Sequence, residues 1–465
     1  MGLRDRLRRS ESLAPGGVGG AVTVAGAAGG NGVAAAGGSL GNAVEVYQDL
    51  KHALHGKLIE KLDLTTIEKL PRAQLHDELR LILAGMLAEA QLPLNRQERD
   101  TLVNDLLDEV TGLGPLEPLL RDDSISDILV NRYDTVYIER FGKLELAPVR
   151  FRDNEHLVQI INRIVSRVGR RVDDSSPMAD ARLADGSRVN AILPPLALDG
   201  AVLSIRRFGG APLRVKELLS IGSLTTEMIA FLGAAVQAKC NILISGGTGT
   251  GKTTLLNALS SFIPDSERII TIEDAAELQL QQRHVVRLET RPPNIEGRGE
   301  VLARDLAKNA LRMRPDRIVI GECRGGEVLD MLQAMNTGHE GSMTTVHANS
   351  PRDALSRIEA MVGMGNVVMS EALARQTISR AINLVVQLSR GTDGRRRISS
   401  ISEVTGMEGA VITVQEIFRF EQRGVDKDGR VLGEYRATGV RPKLLERIER
   451  HGIDPADVVR PYLAA

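Results

Sequence analysis

Tryptophan is absent from the 465 residues, and aromatic side chains make up only 3% of them. A binder that stacks successive bases on aromatic rings is therefore disfavoured. Charge of one sign is lacking too. The 59 Lys and Arg offset 60 Asp and Glu, for a net charge of −1, so the whole chain has no general attraction for nucleic acid or anionic lipid. Cysteine occurs twice, at Cys240 and Cys323, without a Cys-x-x-Cys pair. That excludes a zinc ribbon built on such pairs and fits a reducing compartment, with both thiols serving as small core hydrophobes. No apolar run reaches the roughly 18 residues a membrane-spanning helix needs. The first residues are basic (Arg4, Arg6, Arg8, Arg9), but the stretch that follows is broken throughout by Gly and lacks the Leu-rich core of a signal peptide.

Composition then changes along the chain. Residues 1–43 are mostly Gly, Ala and Ser beyond the basic tip, and are expected to be flexible because they cannot bury enough surface to offset their ordering entropy. From Val44 the pattern turns helical. Leu50, Leu54, Leu58 and Leu62 recur at helical spacing, and further helices are expected over Leu75–Glu89 and Arg96–Val110, with Pro71 and Pro93 near the breaks. Residues 44–115 thus read as a helical module for docking or assembly. Residues 116–208 read as a small α+β domain. Strands are expected at Ile125–Val130, Thr135–Arg140, Ala181–Leu183, Arg188–Ile192 and Ala201–Arg206, with a turn over Asn131–Asp134 and a helix over Glu155–Val168. Residues 209–222, opening with Gly209-Gly210-Ala211-Pro212, read as a linker. In 223–465 short apolar runs at Asn241–Ser245, Arg268–Glu273, Arg317–Ile320, Met343–Ala348 and Asn383–Leu388 alternate with helical patterns. That is the mark of an α/β domain with a parallel or mixed sheet covered on both faces. Beyond residue 396 strand-like alternation returns, closing with a helix near Lys443–His451.

One segment carries definite chemistry. Gly246-Gly247-Thr248-Gly249-Thr250-Gly251-Lys252-Thr253-Thr254 fits the phosphate-binding loop Gly-x-x-x-x-Gly-Lys-Thr, between an apolar strand and the helical run that follows. Glycines let backbone N–H groups meet phosphate oxygens, and the helix N-terminus adds positive potential. Lys252 can reach the β- and γ-phosphates, and the Thr253 hydroxyl can ligate Mg²⁺. The expected ligands are ATP and Mg²⁺, with contacts from Gly247 through Thr254.

Two apolar strands end in acids. Ile318-Val319-Ile320-Gly321-Glu322 makes Glu322 the candidate to orient or deprotonate the attacking water. Thr271-Ile272-Glu273-Asp274 gives Glu273 two readings, one facing metal or water, the other a strand end capping a following helix through Asp274. A polar stretch, Thr337–Ser350, surrounds one more short strand. Its His347 is either a sensor of the γ-phosphate or a hydrogen-bonded structural residue. His339 and His347 have no further His or Cys at ligand spacing, so no zinc site is expected.

These elements in this order resemble the secretion ATPase superfamily of type II and type IV systems. The counterparts are Gly246–Thr254, an acidic box at Ile272-Glu273-Asp274, Ile320-Gly321-Glu322 with Arg324-Gly325-Gly326-Glu327, and a histidine box within Thr337–Asn349. Within it, Ser176-Pro177-Met178-Ala179-Asp180-Ala181-Arg182-Leu183-Ala184-Asp185-Gly186-Ser187-Arg188-Val189-Asn190 and Ser204-Ile205-Arg206-Arg207-Phe208 look most like the tight-adherence (Tad) pilus assembly ATPases of the CpaF type. The resemblance implies a RecA-like phosphate-loop NTPase domain behind a small, PAS-like α+β domain and the helical module. It implies a cytoplasmic homo-hexamer, peripheral at the inner membrane, that spends MgATP on a pilus or secretion platform protein. It also implies that Arg182 and Arg188 approach the γ-phosphate when two domains close, although on sequence alone solvated surface arginines are a rival reading. Arg206 and Arg207, just before the linker, are further candidates to face the nucleotide. Two other classes stay open: a RecA-like nucleic-acid motor, which low aromatic content and neutral charge oppose, and a nucleotide-regulated scaffold with little turnover, which the two acid-tipped strands oppose.

Overall fold

The computed structural model describes residues 51, 54, 56, 58, 72–89, 95–140, 142–208, 213–293, 297–365, 369–454 and 458. The basic tip, the Gly/Ala-rich stretch, Leu50, Leu62, Pro71, Pro93 and the Gly209–Pro212 hinge lie outside them. The chain forms two compact units that divide between Arg207 and Phe208.

In the first unit, two helices, Arg72–Glu89 and Arg96–Thr111, bury Leu79, Leu83, Leu102 and Leu106 in a small core of their own with Leu54 and Leu58. The second helix starts with a reciprocal cap: Asn95 Oδ1 accepts from the Glu98 N–H, and Glu98 Oε2 accepts from the Asn95 N–H, both at 2.8 Å. After it come strands β1 (Ile125–Arg132), β2 (Thr135–Arg140), β3 (Lys143–Leu146), β4 (Met178–Arg182), β5 (Arg188–Ile192) and β6 (Val202–Arg206). They make one antiparallel sheet in the order β3-β2-β1-β6-β5-β4. The helix Asn154–Arg167 puts Leu157, Ile160, Ile161, Ile164 and Val165 into the core that also holds Ile128, Val130, Ala191, Leu203 and Ile205. The turn between β1 and β2 is tighter than the sequence pattern implies, because β1 runs on to Arg132 and only Tyr133 and Asp134 turn. An Arg132–Asp134 ion pair at 2.6 Å closes it.

In the second unit, strands β7 (Ile242–Gly246), β8 (Ile269–Glu273), β9 (Val285–Glu289), β10 (Arg317–Ile320), β11 (Met343–Val346), β12 (Leu384–Arg390), β13 (Arg396–Glu408), β14 (Val411–Val425) and β15 (Val431–Ala437) join in the order β15-β14-β13-β12-β7-β11-β10-β8-β9. From β12 to β9 all pairs are parallel, and β13 to β15 add an antiparallel meander. The sheet is mixed. Its strands alternate between two cores, which is why they read as continuous apolar runs. Ile242, Ile244, Ile269, Val319 and Val386 pack on one face with the helices Thr226–Gln237 and Lys252–Ser260. Leu243, Ile270, Ile272, Ile318, Ile320 and Val385 pack on the other with Glu327–Asn336, Pro351–Gly363 and Glu371–Ala381. The stretch read as a linker contains a helix, Val215–Ser220, whose Leu218 is buried in the first of these cores. Among the described residues no helix is long and apolar enough to cross a membrane.

Candidate active site

The phosphate loop sits at the carboxyl end of β7, a strand buried along its whole length between β12 and β11. Gly249 (φ 68°) and Gly251 (φ 94°) adopt the left-handed backbone that favours glycine, so the chain turns sharply before the helix opens at Lys252. Gly246 answers a different demand, since a side-chain carbon there would lie 2.9 Å from the Leu388 carbonyl oxygen. The Thr250 hydroxyl donates to the Gly247 carbonyl at 2.9 Å and braces the loop. Thr253 and Thr254 are half-buried in the first helical turn. Lys252 Nζ donates to the carbonyls of Gly246 at 3.0 Å and Gly247 at 2.9 Å. Burial lowers its pKa, with Glu322 opposing that shift.

Strand order brings the other candidates to the same edge. β11 lies between β7 and β10, and β8 lies beyond β10. Residues at or just past the carboxyl ends of these strands therefore stand in the sequence Lys252, His347, Glu322, Glu273. Crevices of this kind, beyond the carboxyl ends of parallel strands, are where open α/β sheets bind ligands. His347 Nε2 lies 2.6 Å from Glu322 Oε1 and 3.2 Å from Lys252 Nζ. One nitrogen cannot both donate and accept. The shorter contact assigns its proton to the Glu322 bond, and Lys252 directs its hydrogens to the loop carbonyls. Burial holds His347 below the ordinary histidine value, the charge of Glu322 opposing and those of Lys252, Arg324 and Arg357 adding. The other Glu322 oxygen accepts from Arg324 Nε at 2.9 Å and Nη2 at 2.5 Å. Arg324 also lies 3.6 Å from Asp274.

Glu273 is buried at the end of β8. Its Oε2 accepts from the N–H groups of Glu277 at 2.7 Å and Leu278 at 2.9 Å, while Oε1 has no protein partner among the described residues. Burial raises its pKa against those two bonds. Gly321 makes room for it, since a side-chain carbon there would lie 2.9 Å from Glu273 Cγ. The helix-capping reading of this strand end does not hold, because residues 274–284 form an irregular segment and no helix begins there. Of the two histidines in the polar stretch, His347 joins the cluster. The Nδ1 atom of His339 is buried without a partner among the described residues, and the His339 carbonyl accepts from the Ser342 hydroxyl at 2.7 Å.

The candidate arginines belong to the first unit. Strand register sets Arg182 opposite Arg188 and Arg188 opposite Arg206, so the three stand in one row across β4, β5 and β6. Arg206 pairs with Asp127 at 3.1 Å. Arg207 makes contacts of another kind. Its guanidinium is nearly buried, donates to the carbonyls of Asp122 and Ile125, and lies 3.3 Å from Asp123, so it clamps the turn that leads into β1.

Sequence reading missed the polar groups that align the strands. The Asn241 side chain accepts from the N–H groups of Gly341 at 2.8 Å and Ser342 at 3.1 Å, and donates to the Ala381 carbonyl at 2.6 Å. It ties the start of β7 to the starts of β11 and β12, and so aligns their far ends. A lone Asn before an apolar run carries no local sign of that task. Among the described residues no cluster of three or more His, Cys, Asp or Glu could hold a metal ion. A Mg²⁺ ion carried by the nucleotide phosphates would find the Thr253 hydroxyl in the first helical turn after the loop.

The family model for type II/IV secretion system proteins matches residues 109–429. The chain belongs to that family. With the phosphate loop, the acid-tipped strands and His347 gathered at one sheet edge, it is an ATPase of the family. The "Putative conjugal transfer protein Rv3659c" of Mycobacterium tuberculosis (strain ATCC 25618 / H37Rv) is 40% identical over 312 residues, 66% of this chain and 88% of that one. The type IV secretion system protein VirB11 of Brucella suis biovar 1 is 33% identical over 321 residues, 63% of this chain and 88% of that one. The crystal structure of the Brucella suis VirB11 ATPase with sulphate aligns with 63% of this chain and 96% of its own, at 31% identity and a TM-score of 0.34.

Proposed function

We propose that the chain is a cytoplasmic, homo-hexameric motor, peripheral at the inner membrane, that spends MgATP to assemble or retract a Tad-type pilus through a platform protein. The observation that carries the motor reading is the Lys252–His347–Glu322 cluster over the phosphate loop. Lys252 and the loop N–H groups of Gly247–Thr254 hold the triphosphate. Thr253 holds Mg²⁺, which would neutralise phosphate charge. Glu322, aligned by His347 and Arg324, orients the attacking water, and Glu273 supports it. Arg182 and Arg188, with Arg206 in the same row, supply positive charge to the γ-phosphate as two domains close. Catalysis of this kind is mostly positioning and electrostatics, for which the planar, permanently charged guanidinium is suited.

Turnover by the purified chain tests the assignment. Lys252→Ala and Glu322→Gln should each reduce ATP hydrolysis by about 100-fold or more, the latter with nucleotide binding retained. Wild-type turnover in either variant sinks the reading. Arg182→Ala and Arg188→Ala should lower turnover with little change in nucleotide affinity.

The pilus assignment rests on the residue pattern Ser176–Asn190 and Ser204–Phe208. Relatives named for conjugal transfer and type IV secretion favour a second reading, in which the same motor drives a secretion apparatus. Cells carrying Lys252→Ala separate the two, through loss of surface pili on one hand or loss of exported substrate on the other.

A further inference from the structure

β12 runs parallel to β7 with Leu388 opposite Gly246, so its last residues continue alongside the phosphate loop after β7 has ended. Arg390 closes β12 and Arg396 opens β13, and the register sets the two directly opposite each other. Both side chains are exposed. A side-chain carbon built on Gly249 would lie 3.8 Å from Arg390 Nη1, and one built on Gly251 would lie 3.5 Å from Arg396 Cδ. Two guanidinium-bearing chains thus lie against the glycines of the loop, within the same compact unit.

Their neighbour Arg397 anchors the hairpin. It is buried, pairs with Asp393 at 2.7 Å and covers the Phe420 ring. Asp393 also accepts from the Val431 N–H at 3.2 Å, and the Gly391 N–H donates to the Arg395 carbonyl at 2.9 Å. The hairpin is therefore held at its turn. The register thus sets two cationic side chains side by side against the loop, and arginine is the side chain whose fork suits phosphate oxygens.

We propose that Arg390 and Arg396 are phosphate-binding residues, supplied by the β12–β13 hairpin of the same subunit, that hold the polyphosphate of the nucleotide against the loop from the side opposite His347 and Glu322. The strand order supports this placement, since β12 and β11 flank β7 on its two sides. The inference rests on the phosphate loop being the nucleotide site.

The test is equilibrium titration of the full-length chain with adenylyl-imidodiphosphate and with ADP, alongside thermal melting. Arg390→Ala with Arg396→Ala should weaken both ligands by about 10- to 100-fold, the worth of one or two charge-assisted hydrogen bonds, with the melting temperature unchanged. The double variant should also show a shallower dependence of affinity on salt, and Arg390→Lys with Arg396→Lys should recover part of the loss. Affinities within twofold of wild type overturn the inference, as does a loss that the lysine pair fails to relieve and that tracks a lowered melting temperature. Lys252→Ala is the control. If it weakens binding while the arginine variants do not, only this inference falls. If it binds as wild type does, the loop is not the site and both readings fall.

Discussion

His347 donates to Glu322 across a 2.6 Å contact, although the two follow the ends of different strands and lie well apart in the chain. The relationship exists because β11 is inserted between β7 and β10, and it makes His347 the orienting partner of the acid assigned to position water. The prediction is a division between two substitutions. His347→Gln retains an N–H donor and should keep most turnover, whereas His347→Ala should lower it by about 10-fold or more with nucleotide affinity nearly unchanged. Measuring kcat and KM for both variants checks it. Equal activity of His347→Ala and wild type would remove His347 from the site.

Glu273 offers a second test, because its carboxyl group has a structural task and a proposed catalytic one. Glu273→Gln keeps an acceptor for the Glu277 and Leu278 N–H groups and removes the cost of burying a charge. A carboxyl whose folded pKa is raised is destabilising when ionised, and this loss sets in as pH rises through the ordinary carboxylate value. The variant should therefore be as stable as wild type or more so at neutral pH, yet slower in ATP turnover. Gly321→Ala should also slow turnover, by pushing its new methyl group against Glu273 Cγ. Melting curves and turnover assays run together read both effects.

What was legible in the sequence follows from how local each feature is. The phosphate loop was legible because strand, glycines, Lys252 and helix are consecutive. The parallel strands were legible because burial on both faces writes apolar runs. The meeting of Lys252, His347 and Glu322 was not, since it depends on strand order, which no single segment encodes. Arg207 illustrates the converse: beside Arg206 it reads as one of a pair, but the side chains diverge, one to Asp127 and the other onto the turn at Asp122–Ile125. Nothing in Arg-Gly-Thr-Asp-Gly-Arg-Arg-Arg itself links Arg390 and Arg396 to the phosphate loop. Their proximity to the loop is a consequence of β12 pairing with β7.

The first unit should show a defined acid sensitivity centred on Glu109. Its buried carboxylate lies 2.6 Å from Lys51 Nζ and 3.0 Å from His156 Nε2. Burial alone would raise its pKa, but His156 and Lys51 outweigh that and bring it from 4.5 to about 2. A carboxyl with a depressed folded pKa contributes stability that is complete above its unfolded value and is lost as pH falls through the folded one. The contribution should therefore fade between pH 4.5 and about pH 2. Glu109→Gln should cost about 3–5 kcal/mol at neutral pH, by leaving its partners buried without a counter-charge, and much less near pH 3. Denaturant melts across that range, for wild type and variant, test the convergence.

Stability and activity should separate at Arg317, which opens β10 at the edge of the sheet away from Glu322. Its guanidinium is fully buried, donates to Glu267 through Nε at 2.5 Å and Nη2 at 3.2 Å, and reaches the carbonyls of Val236 at 2.7 Å and Gly341 at 3.3 Å. Replacing it by Met leaves the Glu267 carboxylate without its principal counter-charge and both carbonyls without this donor. The expected cost is about 3–5 kcal/mol. Adding Glu267→Leu removes the stranded charge and should restore part of that loss, because a well-packed apolar pair is often as good as a buried ion pair. Neither change touches the loop, His347 or Glu322, so the folded fraction of each variant should turn over ATP with unchanged KM. An altered KM in the double variant would mean that this ion pair, at the far ends of the strands, also sets the geometry of the nucleotide edge.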